Sequence, residues 1–404
     1  MKISPAVTLL SLIGSANGLV FPKKSKVKLL CRKGFLIGAA GAAVVGTATA
    51  AGAAVVVNNQ LNNNSGGIFE PELNSLSGQV VLITGASTGL GLESAKRLAA
   101  GGATIVLTSR NASKGEKAVE SVKNYLTDKG ITESKIYNLI LDLDDLEDVK
   151  KFPESYKALG LGDISVLINN AGVMAIPDRQ LTKDGYERTF QSNHLGHFVL
   201  TAELYPFLSR EGAKVINVSS EAFNFAPQGL DVENLNGEKS YGAWSSYGLS
   251  KLANILFTQE LQRKADAAGE EWLSTVTLHP GAVSTDLGRY IVGEEKWNEL
   301  KSNGPSGFEK FALNAASIFT KTVPEGASTQ IFLATGANGS LTKGAFYEDM
   351  KEKKTLPKFA RDEGKAKALW EISEELGGIK FDLKTPATTA AVVTKNADDT
   401  TSEA

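Results

Sequence analysis

Val80-Val81-Leu82-Ile83-Thr84-Gly85-Ala86-Ser87-Thr88-Gly89-Leu90-Gly91 decides how this chain folds. Four consecutive aliphatic residues read as a strand buried on both faces. The glycines behind them let the backbone turn sharply and approach a ligand closely. An amphipathic segment, Gly89–Ala99, follows, so the turn delivers the chain into a helix. A helix start offers free N–H groups and the positive end of the helix dipole, a combination that favours phosphate. Glycine turns also occur as plain tight connections, so the surrounding segments must decide.

Working outward, short β-branched runs alternate with longer amphipathic ones. Strands are expected at Val80–Thr84, Thr104–Ser109, Ile136–Leu141, Val166–Asn169, Val215–Ser219 and Thr275–His279. Helices are expected near Gly89–Ala99, Lys114–Leu126, Leu146–Ala158, Tyr186–Leu208 and Ser246–Ala267. This alternation predicts an α/β fold, a doubly wound parallel sheet of Rossmann type forming a single domain. Ligands of such folds bind outside the carboxyl ends of the strands.

Composition narrows the chemistry. The chain has 404 residues and a formal net charge of -2, which gives no electrostatic reason to expect a nucleic-acid partner. Its one cysteine, Cys31, lies near the N-terminus, and its three histidines, His194, His197 and His279, are too few and scattered for a zinc site. No metal is expected, and His194 and His197 are read as packing residues. Hydroxyls, amines, carboxylates or an organic cofactor must do the work.

The second strand ends at Ser109-Arg110-Asn111. An NAD site places an acid here for the ribose 2′-hydroxyl. Arg110 instead suits a 2′-phosphate and favours NADP(H), unless it is an ordinary surface arginine. Tyr247-Gly248-Leu249-Ser250-Lys251 opens a helical pattern, and the spacing puts Tyr247 and Lys251 on one face. A neighbouring ammonium is expected to lower the tyrosine pKa and fit it for proton exchange with a substrate oxygen.

The turn Thr84-Gly85-x-x-x-Gly89-x-Gly91, the element Asn169-Asn170-Ala171-Gly172, Tyr247-x-x-x-Lys251 and Pro280-Gly281-Ala282-Val283-Ser284-Thr285 stand in this order. Together they resemble the short-chain dehydrogenase/reductase family. The resemblance implies cofactor contacts at Gly85, Ser87, Thr88, Gly89, Leu90, Gly91, Arg110, Asn111, Asp142, Leu143, Asn170, Ala171, Gly172, Tyr247, Lys251, Pro280, Gly281, Val283 and Thr285. Asp142 would bond the adenine, although a helix N-cap or turn carboxylate for the following acidic segment Asp144–Asp148 is a serious rival. The implied catalytic set is Asn193, Ser220, Tyr247 and Lys251. Ser219 and Ser220 face opposite ways on an extended strand, so only one can serve, and the choice of Ser220 comes from the resemblance.

Asn193-His194-Leu195-Gly196-His197-Phe198, Lys251-Leu252-Ala253-Asn254, Pro324-Glu325-Gly326-Ala327 and Leu369-Trp370-Glu371-Ile372 resemble the retinol dehydrogenase branch. That implies a lipophilic substrate such as a retinoid or fatty aldehyde, with a homodimer through the Tyr247 helix as one arrangement. The segment Asp286–Thr322, which carries Tyr290, Trp297, Phe308 and Phe311, would cover such a substrate or form ordinary helix cores. The light-dependent protochlorophyllide reductases share the turn and the Tyr-Lys pair and give an alternative function. A non-catalytic NADP-binding scaffold or sensor is the third.

The ends differ from the middle. Residues 1–22 read as a signal segment, and the basic stretch Lys23–Lys33 follows. Gly34–Val57 then runs twenty-four residues without a charge, long enough to span a bilayer. The leader resembles bipartite plastid-targeting leaders of algae with complex plastids, while Arg32-Lys33-Gly34-Phe35-Leu36 resembles a twin-arginine export signal. The expected organisation is a targeting segment, anchor and linker at 1–67, a catalytic domain at 68–383 and a disordered tail at 384–404. Membrane association through residues 34–57, in a plastid or the endoplasmic reticulum, is expected.

Overall fold

Val80–Ile83 forms strand β1, all four residues buried. In the computed structural model, residues 67–283, 321–337 and 339–383 are described. Gly34–Val57, Ser284, Thr285, Asp286–Thr320 and the tail lie outside them.

Helix α1 (Gly89–Ala100) follows β1, then β2 (Thr104–Ser109), α2 (Ala112–Asp128), β3 (Ile136–Ile140), α3 (Leu146–Lys157) and β4 (Val166–Asn169). The next helical segment, α4, is composite. It begins with Arg188–Phe190, widens to a π-helical turn at Gln191–Leu195 and continues as an α-helix over Gly196–Leu204. It starts later than expected because Glu187 stands outside the helix and its carboxylate accepts from Thr189 N and Phe190 N. Then come β5 (Ala213–Val218), α5 (Ala243–Ala268), β6 (Leu273–His279), α6 (Val323–Thr335), β7 (Phe346–Glu348), β8 (Lys351–Glu352) and α7 (Glu363–Gly377).

The strands make one sheet in the order β3-β2-β1-β4-β5-β6-β7-β8. Every pairing is parallel except β7 with β8. The strand order reverses between β1 and β4, which makes their carboxyl ends the place for a ligand. Alternate residues feed two cores. Val81, Ile83, Ile105 and Ile168 pack under α1, α2 and α6, while Val80, Leu82, Val106 and Leu167 pack under α3, α4, α5 and α7.

Helices α6 and α7 and strands β7 and β8 go beyond the elements read from sequence. The signal for α6 was present in Thr322-Val323-Pro324-Glu325. Thr322 Oγ1 accepts from Glu325 N while the glutamate returns a carboxylate oxygen to Thr322 N, a reciprocal cap. Helix α7 explains why α5 shows no clean polar face. One side of α5 lies on β5 and β6, and α7, α4 and the short 3₁₀ turn Glu221–Phe225 pack against others. Trp370 of α7 meets Phe198 of α4 and Phe257 of α5, and stacks on Phe381 at 4.9 Å. Tyr205 Oη donates to Leu383 O, and Gln259 Nε2 donates to Ala360 O, fastening the C-terminal segment down.

Candidate active site

The turn after β1 is built so that backbone can come close at its glycines. Gly85 has φ 62° and Gly89 φ 58°, in the left-handed region. A Cβ on Gly85 would lie 2.8 Å from Ala171 Cβ, and one on Gly91 2.7 Å from Asn170 Nδ2. Thr88 caps α1 without a side-chain hydrogen bond. The first-turn N–H groups of α1 are therefore not taken by the cap, as a pyrophosphate site requires. Gly85→Ala should weaken dinucleotide binding at least tenfold, from roughly 1–2 kcal/mol of backbone strain plus the clash with Ala171. A fluorescence titration with NADPH measures this directly.

The turn after β4 is tied to the same place. Asn170 Nδ2 donates to Thr84 O at 2.8 Å. Asn170 N and Ala171 N both donate to Thr84 Oγ1, at 2.9 and 3.0 Å. Asn169 reaches into the sheet, donating to Thr201 Oγ1 and Asn217 Oδ1. A Cβ on Gly172 would lie 2.9 Å from Asn193 Oδ1 and 3.6 Å from Lys251 Nζ. Asn193 sits in the π-helical turn, of a kind frequent at functional sites. It accepts from Val173 N at 2.8 Å and donates to Val173 O and Ser250 Oγ, so its amide serves the β4 turn and α5 and not its own helix.

The two serines after β5 part company. Ser219 Oγ donates to Lys251 O at 2.7 Å, which turns it into the packing of α5. Ser220 Oγ accepts from Ala222 N at 3.1 Å and stands close enough to the Tyr247 phenol to oppose the rise in its pKa. Tyr247 and Lys251 are both buried on α5. Lys251 Nζ lies over the tyrosine ring, 5.6 Å from its centroid, and donates to Val218 O at 3.0 Å. The expectation that this ammonium lowers the phenol pKa is corrected here. Burial pushes Tyr247 up to about 12, with Ser220 opposing, and pushes Lys251 down to about 8. The reason is geometric: the ammonium faces the ring and spends an N–H on a carbonyl. The pair thus holds a protonated phenol, poised to donate.

The remaining predicted residues spread along the strand ends. Arg110 is half exposed and pairs with Asp144 Oδ2 at 3.4 Å, so it is not simply a solvated side chain. Arg188, which the sequence reading missed, holds the same oxygen at 2.9 Å. The cap of α3 is Asp145, whose carboxylate accepts from Glu147 N and Asp148 N. Asp142 instead accepts from Asp144 N at 3.1 Å, so it is a turn carboxylate and the helix cap falls to Asp145. Asn111 caps α2 through Lys114 N. Leu143 is buried in the core, and Leu90 and Val283 pack against Gly326 of α6. Pro280 and Gly281 follow β6, with the Lys321 chain lying over Gly281. Ser87 lies in the β1 turn, while Thr285 falls outside the described residues.

A family model described as short chain dehydrogenase matches residues 79–296. The chain belongs to the short-chain dehydrogenase family. Within it the chain is retinol dehydrogenase-like. It is 35% identical to retinol dehydrogenase 11 of Homo sapiens over 308 residues, covering 76% of this chain and 88% of that protein. It is 36% identical to retinol dehydrogenase 14 of Mus musculus over 310 residues, covering 75% and 87%. Among solved structures it is similar to an uncharacterized protein from Mycobacterium paratuberculosis, with TM-score 0.57, 32% identity, and 78% of this chain and 100% of that one covered. The L-sorbose reductase of Gluconobacter frateurii, solved with NADPH and L-sorbose, shares the fold at TM-score 0.54 and 22% identity, covering 70% and 99%. This short-chain dehydrogenase is therefore an oxidoreductase of CH–OH and C=O groups that binds a nicotinamide dinucleotide.

Proposed function

We propose that the protein is an NADP(H)-dependent oxidoreductase of a lipophilic carbonyl or alcohol, with Tyr247 as acid and base. The observation that carries this is the buried Tyr247 phenol, with Ser220 close to it and Lys251 against its ring, beside the turns after β1 and β4. A bound nicotinamide supplies or accepts the hydride. Tyr247 gives its proton to the substrate oxygen in reduction and takes it back in oxidation. Ser220 steadies that oxygen, Lys251 keeps positive charge near the phenol, and Asn193 holds the β4 turn against both.

The 2′-phosphate is assigned to Arg110, which would exchange Asp144 for the phosphate. Arg110→Ala should raise the KM for NADPH roughly ten- to hundredfold, the loss of one charge-assisted pair, and leave that for NADH nearly unchanged. Steady-state kinetics with both cofactors tests it, and parallel changes in the two would remove the assignment.

The substrate class rests on the relatives named retinol dehydrogenase. NADPH oxidation should occur with retinal or a long-chain aldehyde in the dark. Inertness toward both, with light-dependent turnover of protochlorophyllide, would reverse the choice. Absence of turnover on any carbonyl would leave the scaffold reading. The catalytic domain is assigned to residues 68–383 and the anchor to 34–57, in a plastid or endoplasmic reticulum membrane. Among the described residues no helix is long and apolar enough to cross a membrane. Protease protection of a reporter fused after residue 67 tests the anchor. A homodimer through α5 would have to include α7, which lies over it.

A further inference from the structure

His197 belongs to none of the catalytic or cofactor sets above, yet it sits fully buried one turn after Asn193. Its Nδ1 lies 3.1 Å from the backbone oxygen of Asn193. A carbonyl oxygen can only accept, so Nδ1 carries the proton. Burial pushes the imidazole pKa down to about 4, the Lys251 charge adding to the effect, so the ring is neutral. A neutral ring protonated at Nδ1 leaves Nε2 as an acceptor.

Nε2 lies 2.8 Å from Thr84 Oγ1, so the threonine hydroxyl must donate to it. The rival acceptor, Ile168 O, is 3.4 Å away and already receives Thr84 N at 3.0 Å. The threonine oxygen then accepts from Asn170 N and Ala171 N. Each hydrogen bond of this chain then has a fixed direction, with Asn170 N shared between Thr84 Oγ1 and Ile168 O. It runs from two amides of the β4 turn, through Thr84 beside the glycine turn, through His197, to the carbonyl of Asn193.

The β4 turn is therefore held on both sides of Gly172. The Asn193 side chain grips Val173 on one side, and Thr84 holds Asn170 and Ala171 on the other. Asn170 is also held by Thr84 O and Ile168 O, and only the bonds to Thr84 Oγ1 depend on His197. We infer that His197 is a positioning residue, fixed as the Nδ1–H tautomer, that locks the β4 turn and the π-helical turn of Asn193 into one unit at the nicotinamide end of the site. This rests on the proposed cofactor site, and it goes beyond it by giving a role to a histidine that touches neither cofactor nor substrate. A satisfied core histidine would stabilise the fold without setting that geometry.

Nitrogen-15 NMR of the full chain should show Nδ1 protonated and Nε2 bare, and the opposite tautomer overturns the inference. His197→Phe should raise the NADPH dissociation constant and lower kcat together. The fall in kcat/KM should be roughly 5- to 150-fold, the range for leaving a buried polar partner unmet. His197→Gln should recover part of the loss, because its amide oxygen can accept from Thr84. His197→Phe combined with Thr84→Val should be no worse than Thr84→Val alone, since both cut the same chain. Additive losses, or a lower Tm with kcat and NADPH affinity within twofold of wild type, would reduce His197 to a core residue. If His197→Phe does not fold, the tautomer and the glutamine variant still decide. The tautomer and the NADPH titration require no turnover, so they report even where the Tyr247 mechanism fails.

Discussion

Tyr247→Phe is expected to reduce turnover by about 10²–10⁴, the usual contribution of a positioned acid–base group, while NADPH still binds. The substitution removes only the hydroxyl. The ring stays in its buried place on α5, against Trp244 and under Lys251, so the fold and the cofactor turn should be unaffected. The expected pattern is a loss in kcat with little change in the NADPH dissociation constant. Stopped-flow measurement of NADPH oxidation with retinal, beside a fluorescence titration, separates the two. Retained turnover would remove Tyr247 from the chemistry and leave the dinucleotide site standing. The phenol is protonated over the working pH range, because burial pushes its pKa up to about 12. It is therefore ready to donate in reduction, whereas oxidation requires the proton to leave first.

Trp370→Ala should cost about 3–5 kcal/mol of stability, the range for emptying a buried large aromatic site. Trp370 is 2% exposed and joins α7 to α4, α5 and the C-terminal segment through Phe198, Phe257 and Phe381. Its removal opens a cavity behind the helix that carries Tyr247 and Lys251. Thermal unfolding should shift down by about 5–15 °C, read by circular dichroism or calorimetry. At temperatures well below the new midpoint, the KM for NADPH should change little, because no Trp370 contact reaches the glycine turn. A shift under 2 °C would mean that α7 is not the cover of α5 described here.

Much of the scaffold was legible in sequence because its signals are local. Six β-branched runs became the first six strands with ends displaced by at most two residues, since periodicity and turn residues lie within each segment. Three things were not legible. Helix α5 was expected, but not that it would be packed on most sides over Tyr247–Leu261, which erases an amphipathic stripe. The long segment Tyr186–Leu208 read as one helix, since a π-helical turn preserves helical composition while shifting the register. The lowered tyrosine pKa was inferred from spacing alone, and spacing does not tell whether an ammonium meets the phenol oxygen or the ring face.

The stretch Val80–Gly91 determined a strand, a glycine turn and a helix start, and the alternation of strands and helices around it determined the doubly wound fold. The spacing Tyr247-x-x-x-Lys251 determined that two groups share a helical face. Tertiary structure alone decided that Ser220 and not Ser219 meets Tyr247, and that Arg110 is already engaged by Asp144. It also decided that Thr84 and His197, 113 residues apart, share one hydrogen bond. Local sequence sets backbone period and side-chain chemistry over a few residues. Which buried donor faces which buried acceptor is settled only when distant strands and helices close on each other.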